Sequence, residues 1–319
     1  MILGERAWGY LDFPYIDRWK EYYVRNFSTI NEKLAALKNG MDERSKEIVD
    51  LTFERNMLLA HHDRYKQAVL YDTAKVFKDW EFEDSKKQQR IIKEYFKNID
   101  DLDEFPLLYE NKYLFASDNG LKNLPQKVHN YIKGKDFIDG GALSGDSALV
   151  MAKYQPGKIY SFEPVSENFA LLQKVLKAKN LTQVVPVKRG LGDKQKQAVC
   201  CQKEGSSTTL PDFLTPGAGA ETIEIITTDA FAKEHNLNIG LIKLDIEGCE
   251  LAAIRGAVNS IKKSRPVLLI SVYHLPEDFF EIKPLIEKEI GGYVFKMEKL
   301  IPLSPAAEIL LIAYPQEIL

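Results

Sequence analysis

Residues 137–147 read FIDGGALSGDS, an apolar strand that passes through a glycine turn into the start of a helix. The turn contains Gly140, Gly141 and Gly145, which let the backbone bend tightly and lie against a ligand, where a Cβ would block both. The spacing differs from the G-x-G-x-x-G of dinucleotide-binding proteins. Asp139 at the strand end would repel a pyrophosphate but attract a sulfonium or ammonium group. Alternatively, the turn only packs the strand against the helix.

A second acidic residue follows the next predicted strand. Glu163 in IYSFEP ends this strand, and Pro164 after it is typical of the start of a helix. A carboxylate here accepts hydrogen bonds from two ribose hydroxyls; alternatively, it is an acid favoured by the helix dipole. Together, Asp139 and Glu163 predict an adenosyl ligand. In the loop after the third strand, Asp193 is placed to accept from the adenine amine, although Gly-Asp is also an ordinary turn pair.

Charged residues also alternate along residues 241–250, LIKLDIEGCE, so that Lys243, Asp245 and Glu247 share one side of a strand and its exit. Charges in an apolar parallel strand cost free energy unless they are paired or functional. We expect Asp245 and Glu247 at the carboxyl edge of the sheet, where open α/β sheets bind ligands. A structural Lys–Asp pair is the alternative. Glu250 is interpreted as a helix cap.

From about residue 136 onward, short apolar runs alternate with amphipathic segments, which predicts a doubly wound, mostly parallel α/β sheet. The last two strands have no helix between them and predict an antiparallel member. Strands are expected at 137–142, 159–162, 184–187, 223–227, 239–244, 267–272, 293–297 and 309–313. Helices are expected at 168–179, 250–262 and 279–289.

The first 110 residues have a different pattern, with apolar residues at helical spacing among long polar stretches, as in Ile30, Leu34, Leu37 and Met41. We predict a helical N-terminal region over 1–110 and a ligand-binding α/β domain over 111–319. The helices are interpreted as a lid, an acceptor-binding region or a homodimerisation surface; alternatively, they only stabilise the main domain.

The composition favours a globular protein, because 45% of its 319 residues are hydrophobic. A net charge of -3 does not indicate a nucleic-acid-binding surface. The sequence contains no run of about 18 apolar residues, so we expect no membrane span. The N-terminus shows no secretory signal pattern. The three cysteines fit no zinc spacing and suit a reducing compartment. We therefore expect a soluble cytoplasmic protein.

With these elements in place, the sequence resembles the FkbM family of methyltransferases. The resemblance is carried by FIDGGALSGDS, YSFEPVSENFALL, VKRGLGDK, IITTDAF, IGLIKLDIEGCELAAIRGA and LLISVYH, in the family's order. It implies a seven-stranded class I methyltransferase (Rossmann-like) sheet, S-adenosylmethionine as donor, and a hydroxyl acceptor on a sugar, glycan or secondary metabolite. Cofactor contacts are assigned to Asp139, Gly140, Gly141, Ala142, Gly145, Asp146, Glu163, Pro164 and Asp193.

The chain departs from the family's pattern at two places. Ala142-Leu143 stands where many members read Ala-Asn, and Ser271 stands where many carry a glutamate. Because of the second departure, we take His274, at the end of the same strand, as the candidate base. An imidazole ordinarily titrates near neutral pH and could accept the hydroxyl proton. Alternatively, His274 only binds a loop carbonyl.

The other two candidate catalytic residues are Asp245 and Glu247, which could orient the acceptor, act as base or hold a divalent cation. No ligand spacing in the sequence indicates such a metal. Two rival functions remain at this stage. One is a non-catalytic adaptor that keeps a methyltransferase-like domain for binding. The other, a nicotinamide-dependent oxidoreductase, is disfavoured by Asp139 and by the glycine spacing.

Overall fold

The computed structural model describes residues 15–61, 76–203, 206–209 and 220–319. Its principal element is a seven-stranded sheet in which the strand order is β10-β11-β9-β8-β1-β2-β3. The strands are β1 (Asp136–Gly140), β2 (Ile159–Phe162), β3 (Val184–Val187), β8 (Ile239–Leu244), β9 (Val267–Ser271), β10 (Tyr293–Lys299) and β11 (Ile309–Pro315).

The sheet is parallel from β9 through β8, β1 and β2 to β3, whereas β11 pairs antiparallel with both β9 and β10. Every residue of β8 and β9 is buried, as expected for parallel strands covered on both faces. The prediction of a doubly wound, mostly parallel sheet of seven strands is therefore confirmed. The chain continues from β1 to β2 and β3 on one side, and the later strands from β8 onward lie on the other side of β1. The strand order therefore reverses between β1 and β8, which is the topological switch point of the sheet.

A second sheet of four strands was not expected from the sequence. It contains β4 (Gly190–Leu191), β5 (Lys196–Lys203), β6 (Ser206–Thr209) and β7 (Ala220–Ile226), in the order β4-β7-β5-β6. The strand predicted at 223–227 is part of β7 and belongs to this sheet. Apolar alternation predicts that a strand exists, but not which sheet it joins.

Helices cover the sheet and form most of the described N-terminal region. The first four are α1 (Ile16–Arg25), α2 (Ile30–Lys38), α3 (Glu43–His61) and α4 (Asp79–Tyr95). The others are α5 (Lys112–Ser117), α6 (Gln126–Ile132), α7 (Asp146–Met151), α8 (Ser166–Ala178), α9 (Thr228–Glu234), α10 (Glu250–Arg255), α11 (Val258–Ser264) and α12 (Pro276–Glu289). None of the helices in the described ranges is long and apolar enough to cross a membrane.

The helix predicted at 250–262 is interrupted at Gly256, which separates α10 from α11. A Cβ on Gly256 would lie 2.0 Å from the carbonyl oxygen of Gly192, so this position packs directly on a neighbouring loop. The carboxylate of Asp229 then accepts from the backbone N–H of Asn259 at 3.1 Å and of Ser260 at 2.6 Å, which satisfies the first donors of α11.

The N-terminal helices share a hydrophobic core with the large sheet. The ring of Trp19 in α1 lies 5.3 Å from that of Phe279 in α12, and both side chains are buried. Ser45 in α3 accepts from the backbone N–H of Met297 in β10 at 2.9 Å. Between α4 and the same strand, the buried Glu81 pairs with Lys299. The helical region therefore packs along β10 and α12, beside the carboxyl edge of the sheet.

Candidate active site

The predicted site residues follow the carboxyl ends of four neighbouring strands. The turn from Gly141 to Gly145 follows β1, Glu163 follows β2, Asp245 follows β8 and His274 comes shortly after β9. Because carboxyl ends of parallel strands meet at one edge, these side chains lie around the switch point, where open α/β sheets bind ligands.

The glycines of the β1–α7 turn are required by close packing of the chain on itself. Gly141 has φ +77°, and a Cβ there would lie 1.8 Å from the carbonyl oxygen of Asp245. Gly145 has φ +91°, and its Cβ would lie 2.9 Å from the side chain of Leu172. The turn is thus held against the loop after β8 on one side and helix α8 on the other. Ala142 between the glycines is fully buried.

Asp139 lies beneath the turn and is fully buried. Its carboxylate accepts hydrogen bonds from Ser147 Oγ at 2.8 Å and Ser161 Oγ at 2.9 Å. It also pairs with Lys243 Nζ at 3.3 Å. Lys243 in turn donates to the carbonyl oxygens of Gly140 at 3.0 Å and Gly141 at 2.7 Å. The charge of Asp139 is therefore balanced within the protein, and the pair fixes the backbone of the turn.

Glu163 lies against the same turn and is 2% exposed. One carboxylate oxygen accepts from the backbone N–H of Leu143 at 3.0 Å, and the other from that of Val165 at 3.0 Å. Burial raises the pKa of Glu163 to about 7, although these hydrogen bonds oppose the shift. The oxygen bound to Val165 also accepts from Asn168 Nδ2 at 3.5 Å, whereas the oxygen bound to Leu143 keeps a second lone pair that can accept from a ligand.

The remaining predicted cofactor residues differ in their surroundings. Asp146 begins α7, and its carboxylate accepts from the N–H of Ser147 at 2.7 Å. Burial raises the pKa of Asp146 to about 6. Pro164 is half-buried, and α8 begins two residues later, at Ser166. Asp193 is exposed and joins none of the hydrogen bonds that link the residues around the turn.

His274 is buried among carboxylates, with 1% of its surface exposed. Its Nδ1 lies 3.0 Å from Glu250 Oε1, and its Nε2 lies 3.5 Å from Glu247 Oε2 and 3.7 Å from Asp245 Oδ1. Nδ1 is thus within hydrogen-bond distance of Glu250, whereas Nε2 is not hydrogen-bonded to any described residue. Burial opposes the imidazolium form, but the three carboxylates outweigh it and raise the pKa of His274 to about 10. The sequence expectation of an imidazole titrating near neutral pH does not describe this arrangement.

Glu250 closes the turn before a helix, as its interpretation as a helix cap predicts, and it also contacts His274. Its two oxygens accept from the backbone N–H of Ile246 at 2.8 Å and of Gly248 at 2.8 Å, which closes the turn before α10. The same fully buried carboxylate flanks His274. A glutamate at the start of a helix indicates a cap, but its approach to a histidine in the loop after β9 has no local sequence signal.

Two further residues at this edge were missed by sequence reasoning. Tyr15, just before α1, donates from its hydroxyl to the carbonyl oxygen of Glu247 at 3.2 Å and to its Oε2 at 3.3 Å. Its ring also packs edge-on against His274 at 5.7 Å. Glu308, just before β11, has φ +59°, and burial and Asp245 raise its pKa to about 8. Neither residue stands in a motif that could have identified it.

The electrostatic character of the edge is acidic. The carboxyl groups there belong to Asp146, Glu163, Asp245, Glu247, Glu250, Asp278 and Glu308. Among the described residues, the basic groups that face them are Lys243 and His274. Lys243 is already engaged by Asp139 and two carbonyls, so the edge favours a cationic ligand over an anionic one.

The sheet order, with one antiparallel strand, and the glycine turn after β1 define a class I methyltransferase fold. Residues 139–295 match the Methyltransferase FkbM domain. This match covers just under half of the 319-residue chain. No curated protein matches the chain in sequence.

One solved structure with a TM-score above 0.5 agrees with this fold. The chain is similar to the methyltransferase FkbM from Methylobacillus flagellatus KT, with a TM-score of 0.58 and 19% identity, over 93% of this chain and 61% of that one. It thus spans less than two thirds of that protein. Weaker similarity links it to a putative methyltransferase from Streptococcus mutans in complex with SAH, with a TM-score of 0.37 and 11% identity, over 60% of this chain and 94% of that one.

Proposed function

We propose that this chain transfers a methyl group from S-adenosylmethionine to a hydroxyl group of a small-molecule or glycan acceptor. The observation that carries the proposal is the acidic carboxyl edge, where Glu163 and Asp146 flank the glycine turn of a methyltransferase domain. The donor has a sulfonium, an ammonium group and a ribose diol, which an acidic edge with carboxylate acceptors can bind.

The donor side would be formed by residues around the β1–α7 turn. Glu163 is suited to the ribose hydroxyls, because its Oε2 accepts only from the N–H of Leu143 and keeps a free lone pair. Asp139 and Lys243 would act on the donor indirectly, by holding the turn in place. Bound S-adenosylmethionine supplies an electrophilic methyl group. The acidic edge argues against a dinucleotide, whose pyrophosphate it would repel.

The acceptor side would be formed by Asp245, Glu247 and His274 at the ends of β8 and β9. Methyl transfer requires an oxygen held in line with the methyl group, and such positioning accounts for much of the rate in reactions of this type. Glu247 is itself held by the hydroxyl of Tyr15, so α1 reaches the wall of this side. A carboxylate of this group is suited to orient the acceptor hydroxyl and receive its proton.

The donor assignment is tested by calorimetry with S-adenosylhomocysteine, the product of methyl transfer. Wild-type protein is expected to bind it, and Glu163→Gln to bind it at least about tenfold more weakly, because charge-assisted hydrogen bonds to the ribose are lost. Glu167→Gln, at an exposed position four residues further on, serves as the matched control with unchanged affinity. Equal affinity of all three proteins would remove Glu163 from the site.

Catalysis is tested separately, by measuring S-adenosylhomocysteine formation with a panel of sugars, glycans and hydroxylated metabolites. Turnover that depends on one acceptor class supports the proposal. Binding of S-adenosylhomocysteine without turnover on any hydroxyl acceptor would instead indicate a non-catalytic adaptor. Stabilisation by NAD and not by S-adenosylhomocysteine would contradict the donor assignment.

A further inference from the structure

The carboxylates around His274 form a cluster with the composition of a metal site. One ligand atom from each of Asp245, Glu250 and His274 lies within 4.8 Å of the others. We propose that this cluster binds a divalent cation of the Mn²⁺ class on the acceptor side of the sheet edge. The site itself is independent of the proposed function; only the role of the ion, holding the acceptor hydroxyl, rests on it.

The first observation behind the proposal is the state of the imidazole. His274 is 1% exposed, and although its Nδ1 lies 3.0 Å from Glu250 Oε1, its Nε2 makes no hydrogen bond with a described residue. Buried polar groups are almost always satisfied, because leaving one without a partner costs about 1–3 kcal/mol. A buried imidazole Nε2 that faces two carboxylates without a hydrogen bond to either is the expected arrangement where a metal ion lies between them.

The spacing of the atoms supports the same reading. Ligands at about 2.0–2.2 Å from a common ion lie about 3 to 3.6 Å from one another. His274 Nε2 lies 3.7 Å from Asp245 Oδ1 and 3.5 Å from Glu247 Oε2. These two separations are close to those around an ion and longer than a hydrogen bond.

Glu250 remains available although it accepts two backbone N–H groups. Oε1 accepts from Ile246 and lies 3.0 Å from His274 Nδ1, whereas Oε2 accepts from Gly248 and keeps a second lone pair. Alternatively, it contacts only the Nδ1 side of His274 and orients the ring, as carboxylates commonly do for metal-bound histidines. In both arrangements, Glu247 is a further carboxylate beside the ion, held by Tyr15.

The ligand set also indicates the class of ion. Two or three carboxylates with one imidazole suit Mn²⁺, Fe²⁺ or Zn²⁺ better than Mg²⁺ or Ca²⁺, which take oxygen ligands. Mn²⁺ is the practical probe because it is paramagnetic. Lys243 interacts with Asp245 electrostatically, but its hydrogen bonds go to Asp139 and to the carbonyls of the turn.

The test is a Mn²⁺ titration of the full-length chain after chelator treatment, followed by electron paramagnetic resonance. One bound ion per chain is expected, and His274→Ala and Asp245→Asn should each weaken binding about 10- to 100-fold. Asp146→Asn is the charge-matched control, because it removes a carboxylate from the same edge but no ligand. It should change the affinity less than about threefold.

The rival arrangement is an imidazolium held by the same carboxylates, and it predicts no saturable Mn²⁺ binding by the wild-type chain. That result would overturn the proposal, as would equal loss of affinity in Asp146→Asn and Asp245→Asn. S-adenosylhomocysteine binding by the metal-free protein is measured in parallel. Product binding without Mn²⁺ binding rejects the metal site alone, whereas Mn²⁺ binding without product binding rejects the donor assignment alone.

Discussion

Glu163 is a buried carboxyl whose charge costs free energy in the folded chain. Its pKa is raised from 4.5 to about 7, chiefly by burial. A raised folded-state pKa contributes stability that is fully present below the unfolded value and is lost as the pH rises through the folded value. The wild-type protein should therefore lose stability from this group between about pH 4.5 and pH 7.

Glu163→Gln should abolish that loss, because glutamine does not ionise. We expect the free energy of unfolding of the variant, relative to wild type, to rise by about 2–3 kcal/mol between about pH 5 and about pH 8. Urea denaturation at the two pH values measures it, and the constant effect of the amide on hydrogen bonding cancels in the comparison. In the exposed Glu167→Gln control, the difference should be independent of pH. A flat difference in Glu163→Gln as well would mean that Glu163 is not buried as described.

The residue types at the edge could be predicted from the sequence, but their pairings could not. Each of Asp139, Glu163 and Asp245 follows or ends an apolar strand, which places it at the carboxyl edge by topology alone. That Asp139 is neutralised by Lys243 depends on β1 and β8 being neighbours, which strand patterns do not specify. Tyr15 is the extreme case, since it meets Glu247 across 232 positions of sequence.

At the scale of elements, the β1–α7 turn offers a matched comparison between two glycines of nearly equal φ. Gly141 has φ +77° and a Cβ there would meet the Asp245 carbonyl oxygen at 1.8 Å, whereas Gly134 has φ +75° and nothing within 4 Å. Gly134→Ala should cost about 1–2 kcal/mol from backbone strain alone. Gly141→Ala should cost about 2 kcal/mol more, because the turn and the loop after β8 must separate.

Urea denaturation gives the two stabilities, and calorimetry with S-adenosylhomocysteine gives the functional consequence. Gly134→Ala should keep the wild-type affinity, because Gly134 precedes β1 at the opposite end of that strand from the turn. Gly141→Ala should bind more weakly, since its displacement moves Leu143 and hence Glu163. Equal stability of the two variants would contradict the close approach of Gly141 to Asp245.

Element boundaries show where sequence patterns end and packing takes over. The sheet strands and the helices of 168–179 and 279–289 follow periodicity closely, because each buries one continuous apolar face. The interruption between α10 and α11 does not, because it comes from contact of Gly256 with the Gly192 loop. Likewise, β7 belongs to the second sheet because it pairs with β5, and the local sequence pattern does not predict this pairing.

At the scale of the whole molecule, the boundary expected at residue 110 does not separate two hydrophobic cores. Trp19 and Leu37 from the N-terminal helices belong to the same buried cluster as Ile242 and Phe279. Buried charged side chains also connect the N-terminal helices with the sheet. Glu81 of α4 accepts a hydrogen bond from Arg55 of α3 at 2.7 Å and another from Lys299 of β10. We therefore expect the described N-terminal helices and the sheet to unfold together.

The tryptophans make this expectation measurable, because all three (Trp8, Trp19 and Trp80) lie in the N-terminal region. Their fluorescence reports that region, whereas far-ultraviolet circular dichroism reports the whole chain. Denaturation curves from the two probes should coincide in wild type. Glu81→Gln should lower the free energy of unfolding by about 3–5 kcal/mol in both curves, because it leaves buried cations without their anion.

Asp84→Asn is the matched control on the same helix. Asp84 pairs with Arg44 and Lys87 at the surface, so its loss should cost less than about 1 kcal/mol. If the helices formed an independent domain, fluorescence would change at lower denaturant than circular dichroism, and Glu81→Gln would widen that gap. Because Tyr15 and Trp19 both lie in this region, such early unfolding would also remove the contact with Glu247 before the sheet is lost. Coincident curves would instead mean that the wall of the acceptor side and the donor-binding edge are stabilised by one cooperative core.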